Sequence, residues 1–410
     1  MEYQYSKLSN GIRLIHKMAN SPVAHCGIII NAGSRDELPE EFGIAHFIEH
    51  VIFKGTNKRK AYHVISRLED VGGDLNAYTS KEETFVYASF LSRYYERSLE
   101  LFSDILFNSS FPEKELEKEK DVIIDEINSY RDSPSELIFD EFEEVLFKNH
   151  PIGHNILGSP ETVKSFGRQH IQSFMQRNYL TDRMVICSVG SLSFDKLVLL
   201  CEKYFGHIPA SAAKNGRHAF TNYQPTIIQS EKSNFQVHCM MGNIAYDVST
   251  ERKNVLALLT NILGGPGMNS RLNLAIREKH GYSYNIEAHY QPFSDSGLFN
   301  IYLGTDAEYL EKSLKLVYKE LKNLREIELG TLQLHKAKQQ IIGQIAISLE
   351  SNLAEMVSIG KSHLFFDTVD TMAEMIKKIE GISSKDLLDV ANEIFIPDQF
   401  SMLTYLPKQE

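Results

Sequence analysis

The 410-residue sequence predicts an α+β fold of two similar domains, each an antiparallel sheet with helices packed on one face. Three observations carry this reading. The chain is longer than one hydrophobic core usually supports, so it divides. Its second half echoes the first in order and spacing. Within each half, segments of alternating polarity are followed by segments with apolar residues three and four apart, a strand pattern leading into a helix pattern.

The elements follow in matched order. The apolar strand Val23 to Gly33 corresponds to Phe235 to Tyr246, which aligns Cys26 with Cys239, and each is followed by a polar break and a helix-period segment. Hairpin patterns come next, Gly72 to Phe90 against Gly281 to Gly304. The helices Tyr94 to Phe107 and Tyr309 to Lys322 match most clearly, pairing Ser98 with Ser313 and Leu99 with Leu314. Each half closes with a long helical stretch, a second helix (His170 to Arg177; Lys385 to Ile394) and a terminal strand (Met184 to Val189; Phe400 to Tyr405). The polar, aperiodic stretch Ile208 to Pro225 holds the boundary, giving domains 1–212 and 213–410.

Composition excludes several classes. An apolar fraction of 42% with 24% charged residues is that of a folded globular chain, not a disordered one. A formal charge of −11 and the lack of a basic stripe argue against nucleic acid and favour basic peptides as guests. No apolar run approaches the roughly 20 residues that cross a bilayer, and the first residues lack the pattern of a signal peptide, so no membrane partner and a cytoplasmic location are expected. Cys26, Cys187, Cys201 and Cys239 are scattered in apolar runs and read as buried thiols.

Chemistry concentrates in His46-Phe47-Ile48-Glu49-His50, inside the helix-period segment Phe42 to Phe53. Residues i, i+3 and i+4 share a helix face, so both imidazoles and the carboxylate project together. H-x-x-E-H is the inversion of the H-E-x-x-H zinc-peptidase motif. A catalytic zinc also needs a third protein ligand and an open position for water. The helix candidate Glu113 to Tyr130 offers acids for that role, with Glu126 beside an apolar face of Val122, Ile123 and Ile127, and Glu119 two turns earlier. Spacing alone does not choose among Glu126, Asp125 and Glu119.

With seventy-five residues between His50 and Glu126, the H-x-x-E-H…E arrangement resembles the pitrilysin, insulin-degrading enzyme and mitochondrial processing peptidase family, over essentially the whole chain. The resemblance implies a zinc metalloendopeptidase in which His46, His50 and Glu126 hold one Zn²⁺, Glu49 is the catalytic base, and Glu119 supports the ligands from behind. Leu75-Asn76-Ala77-Tyr78 resembles the edge strand that lines up a peptide substrate, with Asn76 and Ala77 at its centre. Arg277 and Tyr284 match an R-x6-Y pair that helps hold substrate and stabilise the oxyanion, though Tyr282 lies close by. Glu136 and Asp140, one helical turn apart, resemble acids that recognise an arginine near the cut, within a generally acidic cluster.

Gly264-Gly265-Pro266-Gly267 lacks the Lys-Ser or Lys-Thr of a phosphate loop and reads as a helix-ending turn, in a position resembling the glycine-rich loop of the non-catalytic processing-peptidase subunit. The second repeat carries Leu259 to Leu263 where the first carries its ligands, so one zinc per chain is expected. Family members of this domain number resemble half of a clamshell. A homodimer, or pairing with a related two-domain chain, is therefore implied. The rivals are a catalytically inactive structural or assembly subunit of the same fold, and a peptide-binding module whose zinc is structural.

Overall fold

Strands that are apolar at consecutive positions need cover on both faces, and such strands form the centre of each sheet here. The computed structural model describes residues 2–213 and 216–408. Lys214 and Asn215, within the stretch expected to join the domains, lie outside them. The first sheet contains β1 (Gln4–Lys7), β2 (Arg13–Met18), β3 (Val23–Ile30), β4 (Asp74–Thr79), β5 (Thr84–Leu91) and β6 (Met184–Gly190), in the order β1-β2-β6-β3-β5-β4. The second contains β7 (Ile227–Lys232), β8 (Val237–Ala245), β9 (Ser283–Pro292), β10 (Gly297–Thr305) and β11 (Ser401–Pro407), in the order β7-β11-β8-β10-β9.

Omitting β1, the two orders are the same, and the register agrees in detail. Cys26 of β3 lies opposite Ala88 and Ser188; Cys239 of β8 lies opposite Leu303 and Thr404. Ser98 and Ser313 are fully buried on the equivalent helices Tyr95–Phe107 and Leu310–Glu326. The domains are similar, as the repeat predicts. All four cysteines are free and buried.

Two features depart from a purely antiparallel sheet covered on one face. Each sheet has one parallel pair, β2 with β6 and β7 with β11, because the last strand of each half returns beside an early one running the same way. Each sheet also carries a helix on its second face. On β3, Ala24, Cys26, Ile28 and Ile30 enter one core, while Ile29 joins Val185, Cys187, Met356 and Ile359 on the other side. Met356 and Ile359 belong to the helix Asn352–Phe366. In the second sheet the helix Pro134–Leu146 places Ile138, Phe142 and Leu146 against Met240, Leu403 and Tyr405. Each such side chain stabilises by about 1.5–3 kcal/mol on burial.

Both helices lie far along the chain from their sheets. The compact units are accordingly discontinuous: one is Met1–Asn128, His154–Arg217 and Ile347–Thr371, the other Ser129–Gly153, His218–Ala346 and Met372–Glu410. The division between residues 212 and 213 remains our proposal for the limit of the repeats, across which the units exchange these two segments. Among the described residues no helix is long and apolar enough to cross a membrane.

Candidate metal centre

The motif helix, Ile44–Val51, begins at Gly43, whose φ of +98° is the left-handed region that glycine enters without strain. A Cβ there would lie 2.6 Å from the Leu157 carbonyl oxygen, so no other residue fits. The free N–H groups at the helix start are taken by one buried carboxylate. Gly43 N–H donates to Glu37 Oε2 (2.9 Å) and Ala45 N–H to Oε1 (2.8 Å). Burial pushes the Glu37 carboxyl up, and these two donors oppose the shift. Glu37 thus anchors the turn that carries His46, although nothing in the sequence period marks it. Beyond the cap, Ile44, Ala45, Phe47, Ile48 and Val51 fill the core. Helical spacing then leaves His46, Glu49 and His50 on the remaining face.

The second helix, Glu113–Arg131, packs through Leu116, Ile123 and Ile127; Val122, expected on that face, is about half exposed because it is turned 100° from Ile123. Of the three acids that spacing left open, Glu126 reaches both imidazoles. Its Oε2 lies 3.8 Å from His46 Nε2 and 3.5 Å from His50 Nε2, and one donor atom from each of the three residues lies within 4.8 Å of the others. Ligands held at about 2.0–2.1 Å from a tetrahedral ion sit roughly 3.3 Å apart, so small side-chain adjustments would close this set on Zn²⁺ with one corner left open. Asp125 is exposed. Glu119 instead places Oε2 3.3 Å from His50 Nδ1 and Oε1 2.7 Å from Lys54 Nζ.

The electrostatics suit neutral imidazole ligands. Burial, assisted by the neighbouring His50, pushes His46 down to about 3, leaving its ring uncharged at neutral pH. A carboxylate at His50 Nδ1 favours the Nδ1–H tautomer, which turns the Nε2 lone pair toward Glu126 and the shared space. Burial raises the Glu119 carboxyl, but hydrogen bonds from His50 and Lys54 outweigh it and hold the group below its ordinary value. Glu49 behaves oppositely: burial pushes it up, despite a hydrogen bond from Thr79. A carboxyl raised by burial can accept a proton near neutral pH more readily than an exposed one.

A groove of about 330 Å³ opens at Glu49, His50 and Glu119 and runs along Leu75, Asn76 and Ala77. These last residues lie on β4, an edge strand that among the described residues pairs only with β5. Asn76 is exposed, and the Ala77 N–H donates to Asn76 Oδ1 (3.0 Å), so this stretch of edge is not committed to a strand partner.

The remaining expected residues belong to the second unit. Arg277 lies in the π-helical turn Asn273–Glu278 with its guanidinium 5.7 Å from the centre of the Tyr284 ring. Tyr284 is 83% exposed, whereas Tyr282 is stacked between His280 and Tyr309. The glycine-rich stretch does end a helix, Arg252–Gly264, with Gly265 N–H bonding Asn261 O. Glu136 is exposed on the helix Pro134–Leu146; Asp140, one turn on, is half-buried and contributes with Glu141 and Glu144 to the negative field that, after burial, raises the Tyr405 phenol. Sequence reasoning missed Glu37, Lys54 and Thr79. Only Lys54, four residues after His50, carried a periodic signal.

The fold and the clustered His and Glu donors define a zinc-protease-like chain. Residues 13–160 match the family described as Insulinase (Peptidase family M16), and residues 165–341 match Peptidase M16 inactive domain. The chain is 33% identical, over 95% of both lengths, to the Bacillus subtilis protein named uncharacterized zinc protease YmxG. It is 30% identical to the beta subunit of mitochondrial-processing peptidase of Saccharomyces cerevisiae, covering 94% of this chain and 87% of that one. Two solved structures share the fold. A peptidase M16 inactive domain from Pseudomonas fluorescens gives a TM-score of 0.93 at 20% identity over 100% and 98% of the two chains. A protease from Helicobacter pylori gives 0.90 at 21% identity over 99% of each. The chain belongs to peptidase family M16.

Proposed function

We propose that the chain is a zinc metalloendopeptidase that cleaves short or unfolded peptides, with a preference for a basic residue near the cut. The observation that carries this reading is the approach of His46, His50 and Glu126 within 4.8 Å of one another, with His50 also lining the groove beside Glu49. Bound Zn²⁺ would supply a Lewis acid that polarises the scissile carbonyl and acidifies water. Glu49 takes the proton of the attacking water and delivers it to the leaving amine, a task suited to a carboxyl whose pKa is raised by burial. The edge of β4 at Asn76 and Ala77 holds the peptide in extended form through main-chain hydrogen bonds, which bind without demanding sequence. Glu136 and Asp140 supply the preference for a basic side chain.

Arg277 and Tyr284 complete the site from a second copy of the chain in a homodimer. Their exposure and mutual contact support a role toward a ligand rather than toward the core. The test is Glu49→Gln. Its zinc content, measured by metal analysis, should equal that of wild type, while peptide cleavage falls by at least about 100-fold. Cleavage surviving in the variant, or resistance of the wild type to chelators, would overturn the reading.

A further inference from the structure

Lys54 lies four residues beyond His50, just past the end of the motif helix, and its ammonium sits 2.7 Å from Glu119 Oε1. The other oxygen of that carboxylate is 3.3 Å from His50 Nδ1. The Glu119 side chain is only 10% exposed, so water contributes little to orienting it, and these two groups are its contacts on the motif side. A carboxylate with a single partner can swing about its terminal torsion, whereas one pinned at both oxygens presents a fixed acceptor. From this geometry we infer that Lys54 is a positioning residue for metal binding: it fixes the Glu119 carboxylate so that His50 is held with hydrogen on Nδ1 and its Nε2 lone pair directed at the metal.

The inference rests on the metal-binding reading of His46, His50 and Glu126. It differs from a stabilising surface ion pair, which would contribute little to anything but the fold. It also differs from contact with substrate, although Lys54 lines the same groove as Glu49. Groups that orient a ligand from behind typically change metal affinity 10–100-fold when lost. Lys54 acts on the metal only through Glu119, so its effect should vanish once Glu119 can no longer serve as an anionic acceptor.

The experiment measures zinc affinity by competition with a chromophoric chelator for wild type, Lys54→Met, Lys54→Arg, Glu119→Gln and the Lys54→Met/Glu119→Gln double variant. Lys54→Met should weaken zinc binding by about 10-fold or more, and Lys54→Arg, which can still hold a carboxylate, should restore most of the loss. The double variant should bind as Glu119→Gln alone does. In the metal-free proteins, ring ¹⁵N shifts of His50 should show the Nδ1–H tautomer in wild type and a mixture in Lys54→Met.

Unchanged zinc affinity in Lys54→Met, or losses that add in the double variant, would overturn the inference; a raised KM with unchanged affinity would place Lys54 on the substrate instead. Were wild type to bind no zinc, the metal reading itself would fail. The tautomer comparison would then still decide whether Lys54 orients His50 through Glu119.

Discussion

His46 shows how much a single residue fixes here. Its ring is buried on the motif helix, and burial followed by the nearby His50 lowers its pKa from 6.5 to about 3. Above pH 6.5 the ring is neutral in both folded and unfolded chains. As pH falls below 6.5 the unfolded chain takes up a proton that the folded chain refuses, so stability declines until about pH 3. At 1.36 kcal/mol per pH unit the loss approaches about 5 kcal/mol. Urea unfolding of the metal-free protein at pH 7, 6 and 5 should therefore show midpoints that fall with pH, and His46→Gln should flatten the trend. The motif was legible because i, i+3 and i+4 positions share a face whatever the tertiary fold. Spacing did not separate Glu126 from Asp125 and Glu119, since their reach depends on how two helices approach in space; the family resemblance alone pointed to Glu126.

At the scale of elements, the central strands and the helices that follow them could be read from period, including the equivalence of Cys26 with Cys239 that the sheet register reproduces, whereas the outer strands β1, β2 and β7 could not. The helices on the second faces could not. Consecutive apolar residues in β3 demanded cover on both sides, but the cover comes from Asn352–Phe366, more than 300 residues later, and no local pattern links the two. On that helix Gly360 faces β6, where a Cβ would meet Cys187 Sγ at 2.8 Å. Gly360→Ala should therefore destabilise the fold by about 1–3 kcal/mol through overpacking, despite the better helix propensity of alanine. Cys187→Ala removes the clashing sulfur, so the double variant should recover part of that loss. Denaturant midpoints of the four proteins form the cycle, and strict additivity would show that the helix does not seat at Gly360.

In the whole molecule Arg277 and Tyr284 stand on the repeat that lacks the H-x-x-E-H motif. The second repeat keeps the sheet order of the first yet carries Leu259 to Leu263 where the first carries His46 and His50, so on the proposed reading any contribution from it comes through exposed groups such as these. In a twofold homodimer each site would then combine Glu49 of one chain with Arg277 of the other. Glu49→Gln and Arg277→Ala should each be nearly inactive as homodimers. When the two are unfolded together and refolded at equal amounts, half of the dimers are mixed. Each mixed dimer pairs an intact Glu49 on one chain with an intact Arg277 on the other, so one of its two sites is restored, and the mixture should regain roughly a quarter of wild-type activity. If Arg277 serves the zinc residues of its own chain, every site in the mixed dimer lacks one of the two groups and no activity returns. Cleavage of a fluorogenic peptide, followed alongside the molar mass in solution, separates these outcomes, and a fully active monomer would end the dimer proposal.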